Sequence, residues 1–171
     1  MSLAKTLTEI LIEEIAELYY LETRLAGLLP KMAEKASDAD LRSAMTRHVR
    51  ETEEHIGHLR RSIDLLAACP DRSQGRSATL QIVEDDEWME QGEAGHATDA
   101  SLICFTHKVG NYKTAGYLNA AAFARLLELT EVAELLELSL KRSSGLMGQA
   151  GRRTEAFGSL PDEEMKAEAF P

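Results

Sequence analysis

Basic residues are in short supply in this chain: 19 Lys and Arg stand against 29 Asp and Glu, for a net charge of −10. Such a surface repels phosphate backbones. Its densest basic groups, Arg60-Arg61 and Lys141-Arg142 with Arg152-Arg153, have Asp64 and Glu155 beside them, so no nucleic-acid partner is expected. Aromatics make up 5% with one tryptophan, Trp88, and the four prolines fall at 30, 70, 161 and 171. Only Pro30 interrupts a long periodic stretch, which argues against an all-β chain and for an all-α one. There are two cysteines, Cys69 and Cys104, with no C-x-x-C and no Cys/His ligand spacing. They read as idle reduced thiols, Cys104 falling beside Ile103 on an apolar face. No apolar run approaches the roughly twenty residues of a membrane span, and Met1 to Glu14 carries acids where a secretory signal needs bases. No membrane partner is expected, and the cytoplasm is the default location. A Gly-rich phosphate loop is missing too, because Gly145, Gly148 and Gly151 follow no strand. Nor does Ser143-Ser144 have a base nearby in sequence.

What the chain does have is helical periodicity. In the first long stretch, Leu7, Leu11, Glu14, Leu18, Glu22, Leu25, Leu29 and Met32 step by three and four residues. In the second, Leu41, Met45, His48, Thr52, His55, Leu59, Ser62 and Leu66 do the same. Each set lies on one helical face turned to the core. The pattern predicts helix A from about Leu3 to Ala36, kinked at Pro30, and helix B from a cap at Ser37 or Asp38 to about Ala68. Helix C is expected from about Ala97 to Glu128, capped near Thr98 or Asp99, and helix D from a Thr130 cap to about Phe157. Short A–B and C–D links make antiparallel hairpins. The long B–C link is expected to hold a short helix over 78–92. The fold class is therefore all-α: a four-helix bundle of ferritin-like type with a long B–C crossover, one domain over 1–157, and a tail over 158–171. Helix faces carrying Leu126, Leu127, Val132, Leu135 and Leu138 are too wide for one core, so a homodimer is expected.

Carboxylates at mid-helix on an apolar stripe are costly unless a partner or a metal neutralises them. Dimetal sites in such bundles take a Glu from each of two helices and Glu-x-x-His from each of the others. Helices A and B offer half of that set: Glu22, Glu51, Glu54 and His55, where Glu51 shares a helix face with Glu54 at i+3 and with His55 at i+4. These four are the candidate metal ligands, with iron or another divalent ion as the cofactor, at low occupancy or absent. Against them stands a second reading, in which Glu22 and Glu51 pair with Lys113, Arg142 or a histidine in a polar core layer. His48 and His107 also fall on core stripes and would approach each other if B and C run parallel. Tyr19, Tyr20, Tyr112 and Tyr117 suit either reading, as neighbours of a metal or as hydroxyl donors to core carboxylates.

The words Tyr19-Tyr20-Leu21-Glu22, Arg50-Glu51-Thr52-Glu53-Glu54-His55, Lys108-Val109-Gly110-Asn111-Tyr112-Lys113, Ala115-Gly116-Tyr117 and Ala133-Glu134-Leu135-Leu136 resemble the bacterial YciE/YciF-type ferritin-like proteins, which are stress-associated. The resemblance covers roughly residues 3 to 150 and implies a helical bundle, homodimerisation and a ferroxidase-like metal site. Glu22 and Glu51-Thr52 match the family's glutamate positions on helices A and B. Where relatives carry glutamates on helices C and D, this chain has Gly110, Lys113 and Lys141-Arg142-Ser143. Three functions follow as expectations: a stress-associated bundle with at most a partial metal site, an active di-iron ferroxidase or peroxide-handling enzyme, and a metal-free dimeric interaction module.

Overall fold

The computed structural model of the chain describes residues 6–67 and 94–142. Within them lie four helices, α1 (Leu7–Lys35), α2 (Ala39–Leu65), α3 (His96–Leu126) and α4 (130–142), and no strand. The start of α1 is set by a capping box: Thr6 Oγ1 accepts from the Glu9 N–H at 3.2 Å, while the Glu9 carboxylate accepts from the Thr6 N–H at 2.7 Å. Two of the four N–H groups that a helix start leaves unpaired are thereby satisfied. This box places the first residue at Leu7, four later than the periodicity predicts, because the local hydrogen bonds outweigh one further apolar position. Pro30 sits within α1, which continues to Lys35. Asp38 caps α2, its carboxylate accepting from the Leu41 N–H at 2.7 Å.

Asp99 departs from expectation. Helix α3 begins at His96 after Gly95, with no side-chain cap, so Asp99 lies inside its first turn. Its buried carboxylate crosses to the α1–α2 turn, accepting from Ser37 N at 2.8 Å, Ser37 Oγ at 2.6 Å and Asp38 N at 3.0 Å. Thr130 likewise opens α4 rather than capping it, after a turn in which Glu128 takes φ 58°. Cys104 is free and exposed rather than on the apolar face, since Ile103 and Phe105 on either side of it take the buried positions.

Cross-helix pairs give the topology. Met45 meets Thr106 and His55 meets Tyr117, so α2 and α3 ascend together. His58 meets Ser139 and Arg61 meets Glu131, so α4 descends beside α2. With α1 antiparallel to α2, the order is down, up, up, down, and a single long crossover must join α2 to α3. That is the ferritin-like connectivity. The short helix expected over 78–92, Cys69, the end of helix D and the tail over 158–171 lie outside the described residues. Among the described residues no helix is long and apolar enough to cross a membrane.

The core divides in two. One apolar cluster gathers Leu25, Leu29 and Met32 of α1 with Leu41, Met45, Leu102 and Phe105. The other gathers Leu11, Ile15 and Leu18 with Leu59, Tyr117, Ala124, Val132 and Leu136. Between them lies a layer of buried polar side chains, and every helix supplies at least one.

Candidate functional site

Glu22 occupies the middle of α1 with its carboxylate fully buried. Three groups from two other helices close on it. His55 Nδ1 lies 2.9 Å from Oε1, and the Tyr117 hydroxyl donates to the same oxygen at 2.8 Å. Lys113 Nζ, also buried, lies 2.9 Å from Oε2, as an ion pair rather than an aligned hydrogen bond. Burial alone would raise the Glu22 carboxyl, but the Lys113 ammonium and then His55 outweigh it and hold the group down at about 2. An ionised carboxylate can only accept, so His55 presents its Nδ1–H to Glu22 and turns Nε2 away. That Nε2 is buried and has no hydrogen-bond partner. The His55 ring packs edge-on against Tyr117, centroids 5.5 Å apart.

The layer extends towards α4. Ser139 is hydrogen-bonded to the Tyr117 hydroxyl and lies 2.9 Å from His58 Nδ1, which connects half-exposed His58 to Glu22 through two hydroxyls. Burial, followed by the Glu22 charge, pushes the Tyr117 phenol well above its usual range, so it remains a donor. His48, one layer down α2, is driven to about 3, first by burial and then by the Lys113 charge, so it is neutral at physiological pH.

Of the four candidate ligands, only Glu22 and His55 meet. Glu51 lies half-buried one turn before His55, with Oε2 buried and unpartnered and its carboxyl raised by burial. Glu54 points out and forms an ion pair with Arg142 of α4, because i+3 from Glu51 turns it past the core-facing stripe. His48 Nδ1 and His107 Nε2 are both without partners, so these two atoms do not join each other. Lys141 is exposed. The arrangement does not fit a two-iron centre, which needs bridging carboxylates with oxygens free to face shared cations. Here Glu22 spends both oxygens on protein groups, Glu54 turns away, and an ammonium holds the central position. Among the described residues no three His, Cys, Asp or Glu side chains form a set able to hold a metal ion.

Neither the tie from His58 to Ser139 nor the reach of Asp99 to the α1–α2 turn is legible in the sequence. Both roles depend on which residue of another helix stands at the same height, and no spacing within one helix encodes that.

Residues 6–146 match the family described as Domain of unknown function (DUF892). The fold is similar to that in the crystal structure of the E. coli stress protein YciF, with a TM-score of 0.82 at 24% identity over 92% of this chain and 100% of that one. It is also similar to YcfI, a putative structural protein from Rhodopseudomonas palustris, with a TM-score of 0.75 at 22% identity over 86% of this chain and 94% of that one. No curated protein matches the chain. With its family match running from the α1 cap past the last described turn of α4, the protein belongs to the DUF892 family of YciE/YciF-type four-helix bundles.

Proposed function

We propose that this protein is a stress-associated bundle of the YciE/YciF type whose central layer is closed by its own side chains. On this reading it retains at most a partial cation site and carries out no sustained iron oxidation. The stress association rests on the similarity to the E. coli stress protein. One observation carries the chemical half: the Glu22 carboxylate, at the helix-A position where a metal-bridging ligand belongs, is taken up by His55, Tyr117 and Lys113. The remaining donors, His55 Nε2 and Glu51 Oε2, make a two-ligand remnant on α2 that would hold iron weakly.

The test is elemental analysis of protein purified without a histidine tag, followed by oxygen uptake on adding ferrous iron. Substoichiometric iron and uptake at the rate of free ferrous ion are expected. About two iron atoms per chain, the content of a dimetal centre, lost in Glu22→Ala, would overturn the reading.

The same reading makes the protein a homodimer. Val132 is buried within the chain and Leu127 and Leu135 are half-buried, so part of the wide apolar face belongs to the bundle's own core. Leu126 and Leu138 stay exposed at 72% and 51%, with Leu118 at 58%, which favours a second copy packing on the α3–α4 side.

A further inference from the structure

We infer that Lys113 is a resident cation: its ammonium stands where a divalent ion would bind, and replacing it converts this layer into a cation site built from the chain's own donors. This deepens the proposed function and rests on its account of Glu22. Three observations converge on the position. Nζ is buried and faces a fully buried glutamate at 2.9 Å, so the layer already contains a cation, one supplied by α3 and directed at α1. Two donors of the same layer are unspent. Glu22 Oε2 is held by the Lys113 ammonium alone, whereas His55 Nε2 has no partner and Glu51 Oε2 is buried without one. Finally, the His55 ring is oriented as a metal-bound imidazole is, with Nδ1–H on a carboxylate and Nε2 turned away from it. Glu51 lies within electrostatic reach of both His55 and Lys113, which places it at the rim of the same layer.

A buried lysine pairing with a glutamate needs none of this. Its two charges would be satisfied by each other, and polar atoms left without partners nearby only add cost. Two donors left without partners in the layer that holds an ammonium are what a site would keep after exchanging its ion for a lysine. The ammonium then blocks re-entry twice, by filling the position and by repelling a second cation at short range. Lys113→Glu removes that charge and sets a further carboxylate opposite Glu22, giving oxygens from α1, α2 and α3 around the His55 imidazole.

The experiment uses the full chain, Co(II) as the probe, and three readouts: calorimetric affinity, the ligand-field absorption of the bound ion, and the melting temperature. Wild type is expected to show no saturable Co(II) binding below millimolar concentration. Lys113→Glu is expected to bind one Co(II) per chain at least 100-fold more tightly, to melt higher with the ion, and to lose both effects when Glu22→Ala is added. If Lys113→Glu folds only with Co(II) present, that dependence is itself the expected result. If it fails to fold under either condition, Lys113→Gln, which removes the charge without adding one, decides the matter by the same titration. Equal Co(II) affinity in wild type and variant overturns the inference. So does the absence of binding in either variant when its helical circular dichroism is intact. Iron turnover by wild type would defeat the proposed function, whereas a folded variant that ignores Co(II) defeats the resident-cation inference alone.

Discussion

His48 shows how a single buried side chain can set the response of the whole protein to acid. It lies on the core stripe of α2, 4% exposed, with Nδ1 unpartnered, and is held neutral down to about pH 3 by burial and by Lys113. In the unfolded chain the same imidazole gains its proton near its ordinary value of about 6.5. As the pH falls from 6.5 towards 3, the unfolded state therefore binds a proton that the folded state does not. Stability present at neutral pH is lost over that window, at up to about 1.4 kcal/mol per pH unit. Glu22 adds a second loss lower down, between the usual carboxylate value and about 2, as its protonation releases Lys113 and His55. Urea denaturation of wild type and His48→Gln at pH 7, 6 and 5 checks the first term. The variant is expected to show a shallower fall by close to one proton's slope, and parallel curves would place the sensitivity elsewhere.

Among the helices, the junction between α3 and the α1–α2 turn depends most on one residue. Asp99 supplies acceptors to two backbone N–H groups and one hydroxyl at the start of α2, from a helix more than sixty residues along the chain. It acts with the Asp38 cap to satisfy N–H groups that α2 itself leaves unpaired, and both carboxylates lie at the positive end of the α2 dipole. Asp99→Ala is expected to cost about 2–4 kcal/mol, from the loss of three charge-assisted hydrogen bonds at a part-buried junction. Serial urea melts would measure it. The loss should also appear as faster amide hydrogen exchange at Ser37 and Asp38 than in the middle of α2. A loss below about 0.5 kcal/mol would show that water replaces the carboxylate without penalty.

At the scale of the molecule, most of the large apolar side chains exposed among the described residues belong to the α3–α4 hairpin, Leu65 of α2 being the exception. Leu118, Leu126 and Leu138 are exposed, while the exposed charges beside them are partly paired with each other, as in Arg125 with Glu137. If a second copy covers these leucines, light scattering at micromolar concentration should give twice the chain mass. Leu118→Asp with Leu126→Asp should then return it to one chain with unchanged helix content. A monomer in wild type removes the dimer from the proposed function and leaves the Glu22 layer untouched, since every group bonded to Glu22 comes from the same chain.

Much of this architecture is legible in the amino-acid sequence, because helix periodicity and capping are local. The stripe from Leu41 to Ser62 is buried residue for residue as its spacing requires, and Asp38 caps α2 as one of the two residues expected there. Glu22, His55 and Lys113 could each be named as core polar residues from their own helices. Which of them meet could not be read, because Glu54 and Glu51 are equally good donors on α2 until the rotation of that helix against α1 and α4 is known. Tertiary packing turned Glu54 outward to Arg142, drew Asp99 away from its own helix start, and joined His58 through Ser139 to Tyr117. The physical reason is the range of the interactions. Backbone hydrogen bonds and apolar spacing act within a turn or two, whereas a buried charge is settled by whichever partner the neighbouring helices bring to its height.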